Sequence, residues 1–248
     1  MINSVLVGDG YWGKIVKEKV EVLTNLLFVA DSKTDLDSLK DSKAEIVFVC
    51  SSTASHYDVV KKCLDNDIEY IFCEKPFTGD YEKAAELFSL AQQSGAHIFV
   101  DNVFLFRKEI LEITLSDIKS FRFVWNKLDV AKKDNLCDSL LYHDLYLLLK
   151  LSGISEWNIN SSFVSDSELF LKMDNGNKTC VFKYNRDCPS RLKLIFLDNQ
   201  LVDLSYPAND PLSECIVDML DGNIDYDFNK EITLGALRLM DAIKKQLL

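Results

Sequence analysis

The chain has 248 residues, 48% hydrophobic and 27% charged, with a formal net charge of −11. That length allows one large buried core or two modest ones, and the acidity argues against nucleic acid or an anionic membrane surface as partner. No apolar run approaches the roughly 20 residues needed to cross a bilayer, and the start lacks a basic segment followed by a cleavage site, so a cytoplasmic protein is expected.

In chain order, short apolar runs at Ser4–Val7, Leu26–Ala30, Glu45–Cys50, Glu69–Cys73 and His97–Val100 read as strands buried on both faces of a parallel sheet. Helical patterns separate them: residues 12–23, then 56–66 with Val59, Val60 and Cys63 on one face, then 81–94 with Ala84, Ala85, Leu87, Phe88 and Ala91 as its apolar stripe. This alternation predicts a doubly wound Rossmann sheet over residues 1–104. Beyond residue 105 the pattern changes. Residues 118–128, 159–164, 168–173, 178–185, 192–197 and 201–205 read as strands with hairpin turn chemistry between several of them, which favours an antiparallel sheet. One helix interrupts them near 140–151, ended by Gly153, and two more close the chain near 211–220 and 230–247. The expected architecture is therefore α/β, a Rossmann domain over 1–104 and an α+β domain over 105–248, with the last helix packing back on the first domain.

The seven cysteines are scattered without a Cys-x-x-Cys pair and read as reduced thiols. Three histidines without metal-like spacing argue against a metal site; His97, opening a strand, has no evident partner.

Three of the nine glycines fall at Gly8, Gly10 and Gly13, directly after the first strand. This Gly-x-Gly-x-x-Gly spacing suits a tight turn, a close approach of backbone to pyrophosphate, and close packing of the next helix. A helix opening near Tyr11 and Trp12 would aim its N–H groups at phosphate. Asp31, with Ser32 beside it, ends the second strand eighteen residues after Gly13. A carboxylate there can accept hydrogen bonds from the adenosine ribose, which favours NAD, while Ser32 and Lys33 leave NADP open. The fourth strand runs into Glu74-Lys75-Pro76, at the edge where open α/β sheets bind ligands. Lys75 could exchange a proton with a substrate hydroxyl; a salt bridge to Glu74 is the plainer reading.

The combination of Gly8-Asp9-Gly10-Tyr11-Trp12-Gly13, Ser51-Ser52-Thr53-Ala54-Ser55-His56, Glu74-Lys75-Pro76 and Tyr142-His143-Asp144-Leu145 resembles the Gfo/Idh/MocA oxidoreductases, a family of glucose–fructose oxidoreductase and inositol dehydrogenases. The likeness runs through the first domain to the helix near Tyr142 and fades in the later strands. It implies an NAD(P) cofactor held by the glycine turn, Asp31, Ser32, Ser51, Ser52, Thr53 and the Glu74–Pro76 triplet, with His56 either structural or beside the cofactor. It implies a sugar, sugar-nucleotide or polyol substrate whose CH–OH carbon exchanges hydride, met by Lys75, Asn102 and His143; Trp125, on a strand, either faces that substrate or, the plainer reading, makes a sheet-packing or subunit contact. Lys75 carries over as the proton-transferring group, and His143 as acid/base or its partner; at a helix N-terminus, the dipole would disfavour its imidazolium form. Relatives pair through the open face of the second sheet, so a homodimer or homotetramer is expected. One position departs from the family. Its aspartate four residues before the histidine is Ser139 here, with Asp138 one residue out of register and Tyr142 an alternative hydroxyl. That departure, with a second domain short for the family, motivates a rival: a non-catalytic nucleotide-binding or regulatory homologue.

Overall fold

The computed structural model describes residues 1–114, 117–128 and 135–247. Two compact units emerge, Met1–Asn102 with Leu212–Leu234, and Val103–Pro211 with Gly235–Leu248.

The first unit is built on a five-stranded parallel sheet in the order β2-β1-β3-β4-β5. Its strands are β1 (Asn3–Val7), β2 (Asn25–Ala30), β3 (Ile46–Val49), β4 (Tyr70–Cys73) and β5 (His97–Val100). Ile46, Val47, Phe48 and Val49 are all fully buried, and each such side chain contributes about 1.5–3 kcal/mol on leaving water. β2 is different. As the edge strand it buries only Ala30, so the expectation of burial on both faces fails there. The intervening helices are α1 (Tyr11–Leu23), the single turn α2 (Leu39–Ser42), α3 (Thr53–Asp65) and α4 (Tyr81–Ser94). α4 starts where Asp80 accepts the Lys83 N–H at 2.9 Å, a side-chain cap. The chain order reverses at β1, which lies between β2 and β3, so a crevice opens beyond the carboxyl ends of β1 and β3.

The second unit holds the turn α5 (Lys108–Leu111), the helix α6 (Tyr142–Ser152) and strands β6 (Ser120–Leu128), β7 (Asn158–Val164), β8 (Glu168–Asp174), β9 (Thr179–Asn185), β10 (Asp187–Leu197) and β11 (Gln200–Asp203). The strand order is β11-β10-β6-β9-β8-β7. The hairpins are antiparallel as expected, but β6 and β9 pair in parallel, so the sheet is mixed. On each strand alternate residues are buried: Phe121 and Phe123 on β6, Leu169, Leu171 and Met173 on β8, Cys180, Phe182 and Tyr184 on β9. That period of two places one sheet face under α6, whose residues are buried at every position except Lys150.

Two helices complete the chain, α7 (Pro211–Leu220) and α8 (Tyr226–Leu247). The single boundary expected at 104/105 differs from the observed division, because Leu212–Leu234 clusters with the first unit and Gly235 onward with the second. Asn229 is one physical reason. Its side chain accepts the Val100 N–H at 2.9 Å and donates to the Val100 carbonyl at 3.0 Å, closing the free edge of β5. His97 finds partners as well, with ring centroids 5.5 Å from Tyr70 and 4.8 Å from Tyr226. Six of the seven cysteine thiols are buried and unbridged; Cys188 on β10 is half-exposed. Among the described residues no helix is long and apolar enough to cross a membrane.

Replacing Asn229 by Ala strands two buried backbone groups. The expected cost is about 2–4 kcal/mol, measured by urea unfolding of wild type and variant.

Candidate functional site

The site begins with a glycine turn whose spacing is fixed by contact. Gly8 has φ +109°, and a Cβ there would stand 2.7 Å from the backbone of Cys50 and Ser51. A Cβ on Gly13 would lie 2.1 Å from the Gly8 carbonyl oxygen, so α1 can come this close to the end of β1 only without a side chain. Gly10 is the reverse case, with nothing within 4 Å of its would-be Cβ. It is the N-cap of α1, provides no side-chain cap, and no acidic residue follows in the first turn. The leading N–H groups of α1 therefore suit an anion.

A cavity of about 630 Å³ opens here, lined by Gly8, Gly10, Tyr11, Trp12, Asp31, Ser32, Ser51 and Ser52 among the residues anticipated from sequence, and by Thr34 and Ser55 besides. The Asp31 carboxylate accepts from the Lys33 N–H and the Thr34 hydroxyl, both at 2.9 Å, and these bonds hold it below the usual carboxylate range. It stays charged near neutral pH. A second cavity, of about 380 Å³, borders Asp31 and Thr34 together with Lys14 and Lys17.

Thr53, His56, Glu74, Lys75 and Pro76 do not line the large cavity. Thr53 opens α3. His56, expected to be structural or beside the cofactor, is buried with its two ring nitrogens 3.0 Å from the carbonyl oxygens of Ser51 and Pro76, and burial pushes its pKa down. It ties the turn after β3 to the Lys75–Pro76 bond, which is cis. The triplet is joined to the cavity wall by Trp12, whose indole N–H donates to Oε1 of Glu74. Asn102, anticipated as a substrate contact, is wholly buried and donates to the Thr233 hydroxyl at 3.0 Å, so its amide serves the interior of the first unit.

Asp101 was not anticipated. It follows β5 as Glu74 follows β4, and Cys73 and Val100 are register partners, so the two acids emerge side by side. Two adjacent apolar strands each ending in an acid was the available sequence signal. Burial pushes Glu74 well above the carboxylate range and Asp101 to about 6.

In the second unit, His143 is buried among aromatic rings. Its centroid is 4.7 Å from that of Phe104 and 5.7 Å from that of Trp125, and Nδ1 lies 3.1 Å from the Tyr146 hydroxyl. The dipole expectation fails. A π-helical turn, Cys137–Leu141, runs into α6, so His143 stands inside a continuous helical run where no free N-terminus acts on it. Tyr142 is fully buried with its ring edge-on to Tyr146. Asp138 is directed to Lys244, 2.6 Å away. Ser139 donates to the Asn135 carbonyl at 2.9 Å and accepts from the Arg186 guanidinium at 3.3 Å.

Beside His143, Asp144 forms a buried ion pair with Lys193 at 2.5 Å and accepts from the Tyr184 hydroxyl at 2.7 Å. The Lys193 ammonium sits 3.5 Å from the Trp125 ring centroid and 4.7 Å from that of Phe104, a cation–π arrangement. Burial raises the Asp144 pKa, partly offset by Lys193. Lys193 and Tyr184 were missed from sequence, although a period of two puts Lys193 in phase with Ile195 and Leu197, and Tyr184 with Phe182 and Cys180. No cluster suited to a metal ion occurs among the described residues.

Residues 15–102 match the model of an oxidoreductase family with an NAD-binding Rossmann fold, GFO_IDH_MocA. Two curated relatives match the chain in part: the uncharacterized oxidoreductase C26H5.09c of Schizosaccharomyces pombe, 34% identical over 113 residues and 42% of this chain, and human biliverdin reductase A, 30% identical over 106 residues and 43% of it. The chain spans 30% and 31% of their lengths. Among solved structures, the WlbA (WbpB) dehydrogenase from Thermus thermophilus, in complex with NAD and UDP-GlcNAcA, superposes with a TM-score of 0.81 at 16% identity, covering 97% of this chain and 95% of that one. At such identity the likeness concerns the fold.

Two contrasts check the geometry. Gly13→Ala should cost about 1–3 kcal/mol or more, because the added methyl meets backbone, whereas Gly10→Ala should leave stability within about 1 kcal/mol of wild type. Lys193→Met should cost about 3–5 kcal/mol by leaving the Asp144 carboxylate buried and uncompensated. Urea unfolding of the three variants reads all of these.

Proposed function

We propose that this chain belongs to the Gfo/Idh/MocA oxidoreductases, whose NAD-binding Rossmann-fold model residues 15–102 match, and that it is an NAD(P)-dependent dehydrogenase or reductase. Its substrate would carry the reacting hydroxyl on a carbon of a sugar, sugar nucleotide or polyol. The observation that carries the reading is the cavity at the glycine turn, bordered by an uncapped helix N-terminus on one side and a charged Asp31 on the other. These residues fit a dinucleotide. The open Cα of Gly10 leaves room for a pyrophosphate, the N–H groups of Tyr11 and Trp12 face its charge, and Ser32 with Asp31 suits the adenosine ribose. Bound there, NAD would supply or accept the hydride through its nicotinamide.

The chain's own residues have the remaining tasks. Asp31 favours a free ribose 2′-hydroxyl and repels a 2′-phosphate, although Lys14 and Lys17 at the neighbouring cavity keep NADP within reach. Lys75 holds a proton on Nζ and gives it to, or takes it from, the substrate oxygen. His143 is the acid/base candidate of the second unit, set by Tyr146 and enclosed by Phe104 and Trp125. The WlbA structure holds a sugar nucleotide, which supports that substrate class for this chain too. We propose a homodimer or homotetramer, formed through the second sheet.

A second reading, a homologue that binds the nucleotide without turning over substrate, is favoured by Ser139 and Asp138. The first occupies the family's aspartate position and is engaged by Asn135 and Arg186; the second is engaged by Lys244.

Calorimetry with NAD and NADP in both redox states, followed by turnover on a panel of sugar nucleotides and polyols, decides between the two. Binding of NAD(H), weakened about ten- to hundredfold by Asp31→Ala, is expected. Lys75→Met should lower turnover about 10²–10⁴-fold with binding retained. No affinity for any of the four cofactor forms would overturn both readings; binding without turnover across the panel would leave the second.

A further inference from the structure

Glu74 and Asp101 emerge from the ends of adjacent parallel strands, and Lys75 directly follows Glu74 in the chain. Both carboxyl groups are buried, they follow register partners on neighbouring strands, and the nearness of Asp101 makes Glu74 harder to ionise. Ionised carboxylates only accept, so two such groups share a hydrogen bond only when one of them holds a proton. Glu74 also accepts from the Trp12 indole through Oε1 and from the Lys75 N–H through Oε2 at 3.3 Å. Those donors favour a negative charge at the pair. Burial and the mutual repulsion of the two groups oppose a second charge. Oδ1 of Asp101, buried with no hydrogen-bond partner among the described residues, is the oxygen a second charge would leave most exposed to that cost.

The other titratable groups near the pair are few. The thiols of Cys50 on the β3 side and Cys73 at the end of β4 are pushed well up, first by burial and then by Glu74, so both stay neutral. His56 turns its nitrogens to the carbonyls of Ser51 and Pro76. Lys75 is the cation that acts on both carboxyls, favouring their ionised forms.

We propose that Glu74 and Asp101 hold one proton between them and act as a single monoanion that keeps Lys75 in its ammonium form and anchors the Trp12 indole to the cavity wall. The inference rests on the reading of Lys75 as the proton-transferring group. Glu74 and Asp101 are then positioning residues, working through Lys75 and Trp12. With the pair at one negative charge and Lys75 at one positive, the cluster is neutral. Once Lys75 gives its proton to a reacting oxygen, the cluster carries one uncompensated negative charge, which draws a proton back to Nζ.

The test needs neither substrate nor cofactor. Infrared spectra of the full chain at neutral pH should contain the carbonyl stretch of a buried protonated carboxylic acid. That band should vanish in Glu74→Gln and in Asp101→Asn, because each amide takes over the donor role and leaves its partner ionised. Lys75 should titrate as in wild type in either single variant and about one to three pH units lower in the double variant, read by NMR of ¹³C-methylated lysines and assigned with Lys75→Arg. Stability supplies a second measurement. A raised carboxyl pKa means that the folded chain keeps a proton the unfolded chain releases, so stability falls as pH rises from about 4 and goes on falling past neutrality while the pair holds its proton. Asp101→Asn should flatten that fall.

A band surviving both single variants would overturn the proposal, as would a Lys75 titration moved equally by the singles and the double. If the variants do not fold, the absence of any protonated-acid band in wild type overturns it alone. Turnover unaffected by Lys75→Met would instead remove the functional reading while leaving the shared proton standing.

Discussion

The carboxyl edge of the parallel sheet depends on how closely α1 approaches the turn after β1. The Gly8 carbonyl sits where a Cβ of residue 13 would be, and the Gly8 Cα packs against the peptide joining Cys50 to Ser51. A side chain at either place would push α1 outward or part β1 from β3, which pair along Ser4–Val7 and Ile46–Val49. With both absent, the first turn of α1 is held at the end of β1, Trp12 comes within reach of Glu74, and the space between α1 and Asp31 becomes a cavity of defined width. Three elements distant in sequence are thus located by one close contact.

The second unit rests on a different constraint, a charge enclosed with its counter-charge. The ion pair of Asp144 and Lys193 lies between α6 and β10, with Tyr184 completing the carboxylate's bonds and two aromatic faces covering the ammonium. Such a pair is a poor source of net stability, since desolvation offsets most of the attraction. It is selective, however. Only one register of β10 against β6 brings Lys193 opposite Trp125, so the pair discriminates against slipped pairings that apolar residues alone would tolerate.

Local pattern was enough for the first unit. β1, β3, β4 and β5 are short continuous apolar runs because both faces are covered, and the glycine spacing marks the turn that follows. The single turn at Leu39–Ser42 escaped because its residues are polar and its length supports no periodicity. In the second unit, the strands were legible from their alternation, yet the parallel pairing of β6 with β9 was not, because pairing direction depends on which distant strand inserts next to β6. The π-helical turn before α6 was hidden for a related reason: an extra residue in one turn leaves the apolar composition unchanged and alters only the phase. Among the residues proposed for the site, Gly8 and Gly13 owe their places to backbone geometry, which spacing along the chain reflects. The partners chosen by tertiary contact were not legible, so Asn102 turned to Thr233, Asp138 to Lys244, and Asp101 went unnoticed beside Glu74.

The cysteines have a practical consequence. Cys50, Cys63, Cys73, Cys137, Cys180 and Cys215 are sealed in the two cores, while Cys188, whose thiol pKa is lowered by hydrogen bonds with Ser190, remains half-exposed. An alkylating reagent applied to the native chain therefore meets a single addressable sulfur on β10, a place for one dye or one spin label without engineering. The other six become a built-in clock: each joins the reactive pool only when the core around it opens, so mass added over time dates the opening of β3, β4 and β9 separately.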